Sequence, residues 1–320
     1  MRAYENIKRN HQEKDKMTFF TVFFQMLALL LIIGAGYFAA KKGMYDAHTN
    51  NRMSEMIVNI FNPLLVLASA ANSVGQISMK AMKLAGLVAV GMFAAFILAG
   101  MALSPFLEKD LQQRKIFQLM FVFSNVGFIG IPVISSIFGT QYVVYVSEFM
   151  LVYTLVFYTY GIALMEGRFS VASLRAAINP GTVCGLLALA VIIFEVRLPD
   201  FLNTAVSYLG NVTSPMALMA VGFALAESDL KKIFGQPRLY VFSVLKLLAL
   251  PVALLPLLRL VLGDTELLGV CMVMFGMPVG NMPLILGNQR GMDVSACSAA
   301  IILSTALCVV TVPVLVMVSG

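Results

Sequence analysis

Two apolar segments of this chain combine prolines, glycines and asparagines in a way that suits the binding of an anion. A proline inside a membrane helix removes a backbone donor and clashes with the preceding turn. Such a break is tolerated at membrane depth only where protein or water covers the freed groups. We therefore predict two broken helices beside a binding site. The candidate binding residues are Asn125, Gly127, Gly130 and Pro132 in the first segment, and Pro278, Gly280, Asn281 and Pro283 in the second.

The restart of a broken helix is where a negative charge is best stabilised. It presents unsatisfied backbone N–H groups and the positive end of the helix dipole, so it binds anions without a lysine or arginine. Glycines near the break allow the backbone to approach a ligand closely. Asn125 and Asn281 either hydrogen-bond a carboxylate or only satisfy the broken backbone, and the sequence leaves both interpretations open.

Polar residues in a second apolar run extend the candidate site. Asn59 and Asn62 are three positions apart and share one helix face beside Pro63. They either line a transport path or hold helices together by hydrogen bonds.

Two charged residues lie inside apolar runs, where a charge costs about 2.5–3.5 kcal/mol on insertion scales. We interpret Glu148 as a coupling-ion residue that binds a proton or another cation, the alternative being a carboxylate facing interfacial water. We expect Lys246 to extend along its helix to the interface, with pairing to an anionic substrate as the alternative.

Composition identifies a polytopic, all-α membrane protein. The 320 residues are 60% hydrophobic and only 12% charged, and the net charge of +6 is spread over short loops. A nucleic-acid partner would need a clustered basic face, which is absent. Ten apolar runs are long enough to cross about 30 Å of hydrocarbon. They lie near residues 18–40, 53–72, 83–105, 116–138, 142–165, 178–195, 204–226, 239–262, 266–288 and 293–318.

Basic residues in the loops predict the orientation of the chain. The connections after odd-numbered runs carry 12 lysines and arginines, against 4 in the even-numbered ones. The odd connections should therefore be cytoplasmic and both termini outside. Residues 1–16 disagree, because this N-terminal tail carries five further basic residues. Translation starting at Met17 would remove the conflict; a tail simply carried across is the alternative.

An internal repeat connects the two halves. Pro132 and Pro283 are 151 positions apart, as are Tyr153-Thr154 and Ser304-Thr305, and Asn62-Pro63 precedes Ser214-Pro215 by 152. Five runs per half is an odd number, so the second half must be inverted in the membrane. We predict a first repeat over 17–165, a cytoplasmic connection over 166–177 and a second repeat over 178–320.

These motifs resemble those of the auxin efflux carrier family. Asn125 to Pro132 is similar to the family's Asn-x-x-x-x-Gly-Ile-Pro segment, and Pro278 to Pro283 to its Pro-x-Gly-x-x-Pro segment. The start, from Met17 to Gly43, resembles bacterial members, and the long central loop of long plant carriers is absent. The resemblance implies ten helices in two inverted repeats, with helices 4 and 9 broken and crossing at their prolines. It also implies an organic anion as substrate; bacterial relatives include proposed malate and malonate permeases.

The sequence thus predicts a secondary transporter of a small carboxylate in the cell membrane, such as malate, malonate or an auxin-like acid. Its partners would be that anion and membrane lipid, with a homodimer left open. We expect no cofactor and no bound metal, and coupling to H⁺ rather than Na⁺. The alternative is a sodium-coupled symporter of the bile-acid type, with Glu148, Ser298, Ser304 and Thr305 as partial ligands. A further alternative is a membrane-embedded enzyme or a sensor that binds its ligand without moving it. An enzyme would need a paired acid and base or a metal cluster, neither of which the sequence shows.

Overall fold

The computed structural model describes the backbone of residues 2–75, 77–167, 175, 177–227, 235–263 and 265–320, and side chains in these ranges from residue 19 onward. Most of the predicted 166–177 connection and the side chains of the 1–16 tail lie outside the described residues. The backbone of that tail belongs to the first helix, which begins at Arg2.

Within these residues the fold is helical, as the sequence predicted. The helices are α1 (Arg2–Lys41), α2 (Ala47–Ser73), α3 (Met79–Leu107), α4 (Leu111–Val122), α5 (Val126–Ile137), α6 (Thr140–Glu166), α7 (Pro180–Ile193), α8 (Asp200–Ala226), α9 (Pro237–Leu262), α10 (Glu266–Phe275), α11 (Met282–Gln289) and α12 (Ser295–Ser319).

Seven of these helices are long and apolar enough to cross a membrane among the described residues. They are α1 (from Phe19), α2, α3, α6, α8, α9 and α12. Large apolar side chains such as Leu31, Phe106 and Leu260 are fully or mostly exposed on this outer layer. A soluble protein rarely exposes so much contiguous apolar surface, which here faces lipid.

Wide helical turns precede three of the prolines. The π-turns Ile57–Phe61, Val126–Gly130 and Leu245–Ala249 each end two residues before a proline, at Pro63, Pro132 and Pro251. A proline leaves a carbonyl one turn earlier without its N–H partner, and its ring crowds that carbonyl. The wider π-turn relieves both problems, so these helices continue through their prolines.

Two interrupted segments form the centre of the molecule. The first is α4 followed by α5, and the second is α10 followed by α11. Residues 116–126 and 267–280 are buried almost without exception, whereas the surrounding helices bury only one face. Helices that are apolar all round belong in such a position, because no face of theirs is suited to water.

Small residues bring the outer helices into close contact. An added Cβ at Gly36 of α1 would overlap the Met219 backbone of α8, and one at Gly222 would overlap the Ile33 carbonyl. The Tyr45 hydroxyl donates to the carbonyls of Gly36 and Met219, at 3.2 and 3.1 Å. These glycines therefore serve helix packing, as is usual for small residues in membrane bundles.

Candidate functional site

The two interruptions cross and pair with each other. Ser124 and Val279 form an isolated antiparallel bridge. On one side of it the Asn125 N–H donates to the Pro278 carbonyl at 2.7 Å, and on the other the Gly280 N–H donates to the Phe123 carbonyl at 2.9 Å. The backbone groups that the broken helices cannot satisfy within themselves are thus partly satisfied by each other.

The crossing requires a glycine at one position. A Cβ added to Gly280 would lie 2.9 Å from the Ser124 carbonyl oxygen and 3.2 Å from that of Phe123. Both contacts are to backbone, which cannot move away as a flexible side chain would. Gly280 is therefore needed for close approach of the two chains.

The two asparagines of the motifs have different surroundings. The Asn125 side chain caps α5 by accepting from the Phe128 N–H at 3.1 Å. Asn281 precedes α11 without capping it, and its side chain is exposed to the cavity described below. Asn125 thus satisfies broken backbone, whereas Asn281 is exposed in the cavity lining and makes no side-chain cap.

A cavity of about 370 Å³ adjoins the crossing. Its walls combine amide and hydroxyl side chains with aromatic and aliphatic ones, and no charged residue lines it among the described residues. This volume lies within the range of about 300–1,000 Å³ that is typical of small-molecule sites. The lining comprises Val58, Asn59, Asn62, Ser124, Asn125, Val126, Gly127, Phe128, Met150, Leu151, Tyr153, Thr154, Phe157, Tyr158, Asn179, Gly181, Thr182, Gly280, Asn281 and Met282.

Two polar atoms in this lining lack partners in the described part of the chain. They are the side-chain oxygen of Asn62, whose residue is 3% exposed, and the hydroxyl of Thr182. The Asn62 nitrogen lies 3.3 Å from the position of an added Cβ on Gly127. Buried polar groups are normally hydrogen-bonded, so such orphaned atoms beside a cavity indicate a ligand or solvent that binds there.

The cavity collects six of the ten predicted binding residues: Asn59, Asn62, Asn125, Gly127, Gly280 and Asn281. The other four, Gly130, Pro132, Pro278 and Pro283, are buried behind it. Asn59 also donates its side-chain amide to the Glu55 carbonyl, at 2.9 Å. The structure therefore brings the polar and glycine positions to one site and leaves the prolines to shape it.

The prolines do not mark both breaks, contrary to what the resemblance implied. α4 ends at Val122 and α5 begins at Val126, so Pro132 lies inside α5 after its π-turn. The second interruption does contain Pro278, and Pro283 occupies the first turn of α11. The π-turn lets α5 continue past Pro132 without a break. The two segments cross instead at Ser124 and Val279.

Glu148 lies outside the cavity lining, in the half of α6 that precedes Met150. Its residue is 9% exposed, and one carboxylate oxygen has no hydrogen-bond partner in the described ranges. The other oxygen lies 3.2 Å from the position of an added Cβ on Gly86 of α3. This carboxylate is largely buried, which argues against the alternative of a side chain facing interfacial water.

Lys246 is fully buried, and the expectation that it extends to the interface is wrong. Its ammonium reaches the first break, donating to the Phe121 carbonyl at 2.7 Å and to the Ser124 hydroxyl oxygen at 2.9 Å. It also lies 4.9 Å from the centre of the Phe96 ring. The Phe121 carbonyl is in the last turn of α4, where a cation is favoured by the helix dipole.

The magnitudes explain why this burial is tolerated. Removing an ammonium from water costs several kcal/mol even after relaxation. Hydrogen bonds from a charged donor contribute about 1.5–3 kcal/mol each. A helix C-terminus adds up to about 2 kcal/mol, and a desolvated ring face about 2 kcal/mol. Lys246 is therefore held at the crossing by specific partners and does not need the interface.

Several site residues were not selected from the sequence. Ser124 directly precedes Asn125 but lies outside the motif, and Asn179 and Thr182 follow a loop that contains no motif. Asn179 accepts from the Thr182 N–H at 3.1 Å and so caps α7 at the cavity wall. An asparagine directly before a proline is a helix-start signal, which could have placed Asn179 at a helix end.

Comparison with known proteins agrees with this architecture. The chain matches the family described as "Membrane transport protein" over residues 21–171 and again over 168–316. It is also similar to an uncharacterized transporter of Methanocaldococcus jannaschii, with 24% identity over 290 residues. That alignment covers 88% of this chain and 93% of the relative.

Proposed function

Because the chain belongs to the membrane transport protein family, that of the auxin efflux carriers, we propose that it is a secondary transporter of a small organic anion. The substrate would be a carboxylate such as malate, malonate or an auxin-like acid. The observation that supports this most is the cavity where the two broken helices cross. The family is one of membrane transport proteins, which also favours transport over an enzymatic activity.

The cavity chemistry fits a carboxylate on an organic body. The side chains of Asn62 and Asn281, the hydroxyls and the backbone at the start of α5 include groups that can donate hydrogen bonds. Phe128, Phe157 and Tyr158 provide apolar and aromatic surface for the rest of the molecule. Carboxylate oxygens are strong acceptors, and charge-assisted hydrogen bonds to them are about twice as strong as neutral ones.

We propose that the chain forms ten spans in two inverted five-helix repeats, over 17–165 and 178–320. α4 with α5 would be span 4, and α10 with α11 would be span 9. With the odd-numbered connections cytoplasmic, both termini lie outside the cell membrane. The cavity lining then extends from the crossing toward the cytoplasmic side, because Val58 precedes the middle of α2 and Asn179 precedes α7.

On the opposite side of the crossing, hydrogen bonds hold α2 and α6 together. The Ser69 hydroxyl of α2 donates to the Thr140 carbonyl at 2.8 Å, and the hydroxyls of Ser69 and Ser73 lie 3.1 and 3.0 Å from the Gln141 carbonyl oxygen. These bonds join the end of α2 to the start of α6. Alternating access would require them to break as the cytoplasmic side closes.

Proton coupling is the mode that Glu148 supports best. Its carboxyl group is largely buried, and one oxygen has no hydrogen-bond partner in the described residues, so that oxygen is available to a proton. Glu148 lies on α6, three residues before Leu151 of the cavity wall, so its protonation can affect the helix that lines the site. No cofactor is needed for such coupling, since the substrate gradient or membrane potential supplies the driving force.

The sodium-coupled alternative is disfavoured by the arrangement of its candidate ligands. The hydroxyls of Ser304 and Thr305 donate to the Ile301 carbonyl of their own helix, at 3.2 and 2.7 Å. Ser304 also accepts from the Val279 N–H at 3.1 Å. Glu148 instead lies against Gly86 of α3, and no hydrogen bond of the described residues connects it to Ser304 or Thr305. Sodium-dependent uptake into proteoliposomes would favour the alternative over proton coupling.

A thermal-shift screen of the purified protein tests the substrate class. Selective binding to the folded state raises its apparent stability. We expect stabilisation by some of a panel of acetate, hexanoate, phenylacetate, malonate and malate, and none by neutral sugars. Counterflow of the bound acid in proteoliposomes then separates a transporter from a sensor. Stabilisation by sugars alone, or binding without counterflow, would contradict the proposal.

A further inference from the structure

The crossing contains one buried basic side chain, that of Lys246, which no described carboxylate contacts. The ion pairs of the described residues join Arg52 to Glu55, Arg238 to Glu108 and Arg290 to Glu166, and none involves Lys246. The partners of its ammonium are a carbonyl, a hydroxyl oxygen and a ring face. A buried charge without a counterion is costly, so a site that binds an anion nearby gains from it.

Ser124 connects this charge to the cavity. Its hydroxyl oxygen accepts from Lys246 at 2.9 Å, and the same residue belongs to the cavity lining. A hydroxyl accepts through its oxygen and donates its single hydrogen elsewhere. Among the described residues, the Ser124 hydrogen meets no acceptor. It is therefore left to donate into the cavity, polarised by the ammonium behind it.

We propose that the Lys246 ammonium is the fixed countercharge of the substrate site and acts on the bound anion through the Ser124 hydroxyl. The proposal rests on the proposed function, because it presupposes that the cavity binds an anion. Lys246 does not touch the substrate, so it positions and polarises Ser124. The cavity wall itself stays uncharged, which keeps the anion from being trapped by a direct ion pair.

The charge of the substrate follows from this arrangement. One ammonium compensates one negative charge, and the described cavity lining offers no second cation. The second carboxylate of a dianion would have to leave water for a wall rich in aromatic and aliphatic side chains. We therefore expect monocarboxylates with an apolar body to bind more tightly than malonate or malate.

The experiment compares an acid with its own neutral amide. Dissociation constants of phenylacetate and phenylacetamide, and of hexanoate and hexanamide, are measured by titration calorimetry on the purified full chain. The variants are Lys246→Gln, Lys246→Met and Ser124→Ala, and exposed Lys80→Gln on α3 serves as the matched control. The readout is the ratio of amide to acid dissociation constants, since damage to the fold weakens both ligands and leaves their ratio unchanged.

Wild type and Lys80→Gln should favour the acid, and Lys246→Gln should lower that preference roughly tenfold or more. Ser124→Ala should lower it by a smaller factor, about fivefold, because it removes one neutral hydrogen bond. An unchanged ratio in Lys246→Gln would overturn the countercharge. Tighter wild-type binding of malonate or malate than of any monocarboxylate would overturn the single-charge preference.

Two further results separate this proposal from the proposed function. If wild type binds no carboxylate at all, the proposed transport of organic anions is contradicted, whatever the variants show. If Lys246→Gln and Lys246→Met do not fold, Ser124→Ala decides alone, because it leaves the lysine and its contact with Phe121 in place. An unchanged acid preference in a folded Ser124→Ala protein would then overturn the proposed connection.

Discussion

The two breaks occupy matching places in the two halves but differ in length and in backbone form. The first spans residues 123–125, and the second spans 276–281. With the 151-residue offset, the π-turn Val126–Gly130 corresponds to residues 277–281, which are not helical. The same stretch therefore begins a helix in one half and remains non-helical in the other, where it contains the bridge residue Val279.

A single proline accounts for this difference. Pro278 stands where the first half has Gly127, and a proline disfavours helical backbone at the residue before it. The free carbonyl of Pro278 accepts from Asn125 instead. The comparison teaches that one half provides a long non-helical segment, whereas the other provides a short break, with which that segment pairs, followed directly by a capped helix.

The buried charges are also confined to one half each. The 151-residue offset pairs Glu148 with Ala299 and Lys246 with Ala95. Alanine cannot perform either role, so the repeat reproduces the scaffold and not the charges. Coupling and charge compensation, as proposed above, would each depend on one residue without a symmetric substitute.

Gly280→Ala should have the largest effect on the crossing. The new methyl would press on the Ser124 and Phe123 carbonyls, and overpacking of this kind costs about 1–3 kcal/mol. Counterflow should be lost and the apparent melting temperature lowered. Gly130→Ala is the matched control, because its added Cβ would meet its nearest atoms at an ordinary 3.6 Å. Equal losses in the two variants would contradict the importance of the crossing.

Ser304→Ala tests how the longer break is held. It removes the acceptor of the buried Val279 N–H, and an orphaned buried donor costs about 1–3 kcal/mol. We expect a lower melting temperature in a detergent thermal unfolding assay. Thr305→Val is the comparison, since that hydroxyl bonds only within its own helix in the described structure. A larger loss in Thr305→Val than in Ser304→Ala would refute this account.

The two asparagines should separate stability from binding. Asn125→Ala removes the cap of α5 and should cost about 1 kcal/mol of stability. Asn281→Ala removes no recorded cap and should leave the melting temperature nearly unchanged while weakening carboxylate binding. Thermal unfolding and calorimetric titration of both variants give the two readouts. Loss of stability in Asn281→Ala with unchanged binding would reverse the assignment.

Glu148→Gln should have the smallest effect on the fold, because it replaces a buried carboxylate with an amide of the same shape. If Glu148 carries the coupled proton, uptake should lose its dependence on a pH gradient while exchange of substrate continues. Uptake into proteoliposomes at several internal and external pH values measures this. An unchanged pH dependence would exclude the proposed role, and loss of exchange would show a different one.

Sequence alone determined the membrane-embedded helical class, the family and most of the amide and glycine positions at the cavity. Apolar runs and loop charges are local signals. Asn125, Gly280 and Asn281 belong to short motifs, which can likewise be recognised from neighbouring residues alone. The sequence does not distinguish Asn125, which caps its helix, from Asn281, which does not, because the difference depends on hydrogen bonds that form only after the helices pack.

Only the tertiary structure decided where the crossing lies and what stands behind it. Lys246 and Ser124 are 122 positions apart, and nothing local predicts that α9 delivers an ammonium to the end of α4. Propensity favours a long lysine side chain reaching for water. Packing reversed that preference because the broken helix offers a free carbonyl and a hydroxyl at the right distance. Such partners exist only once two distant segments have met.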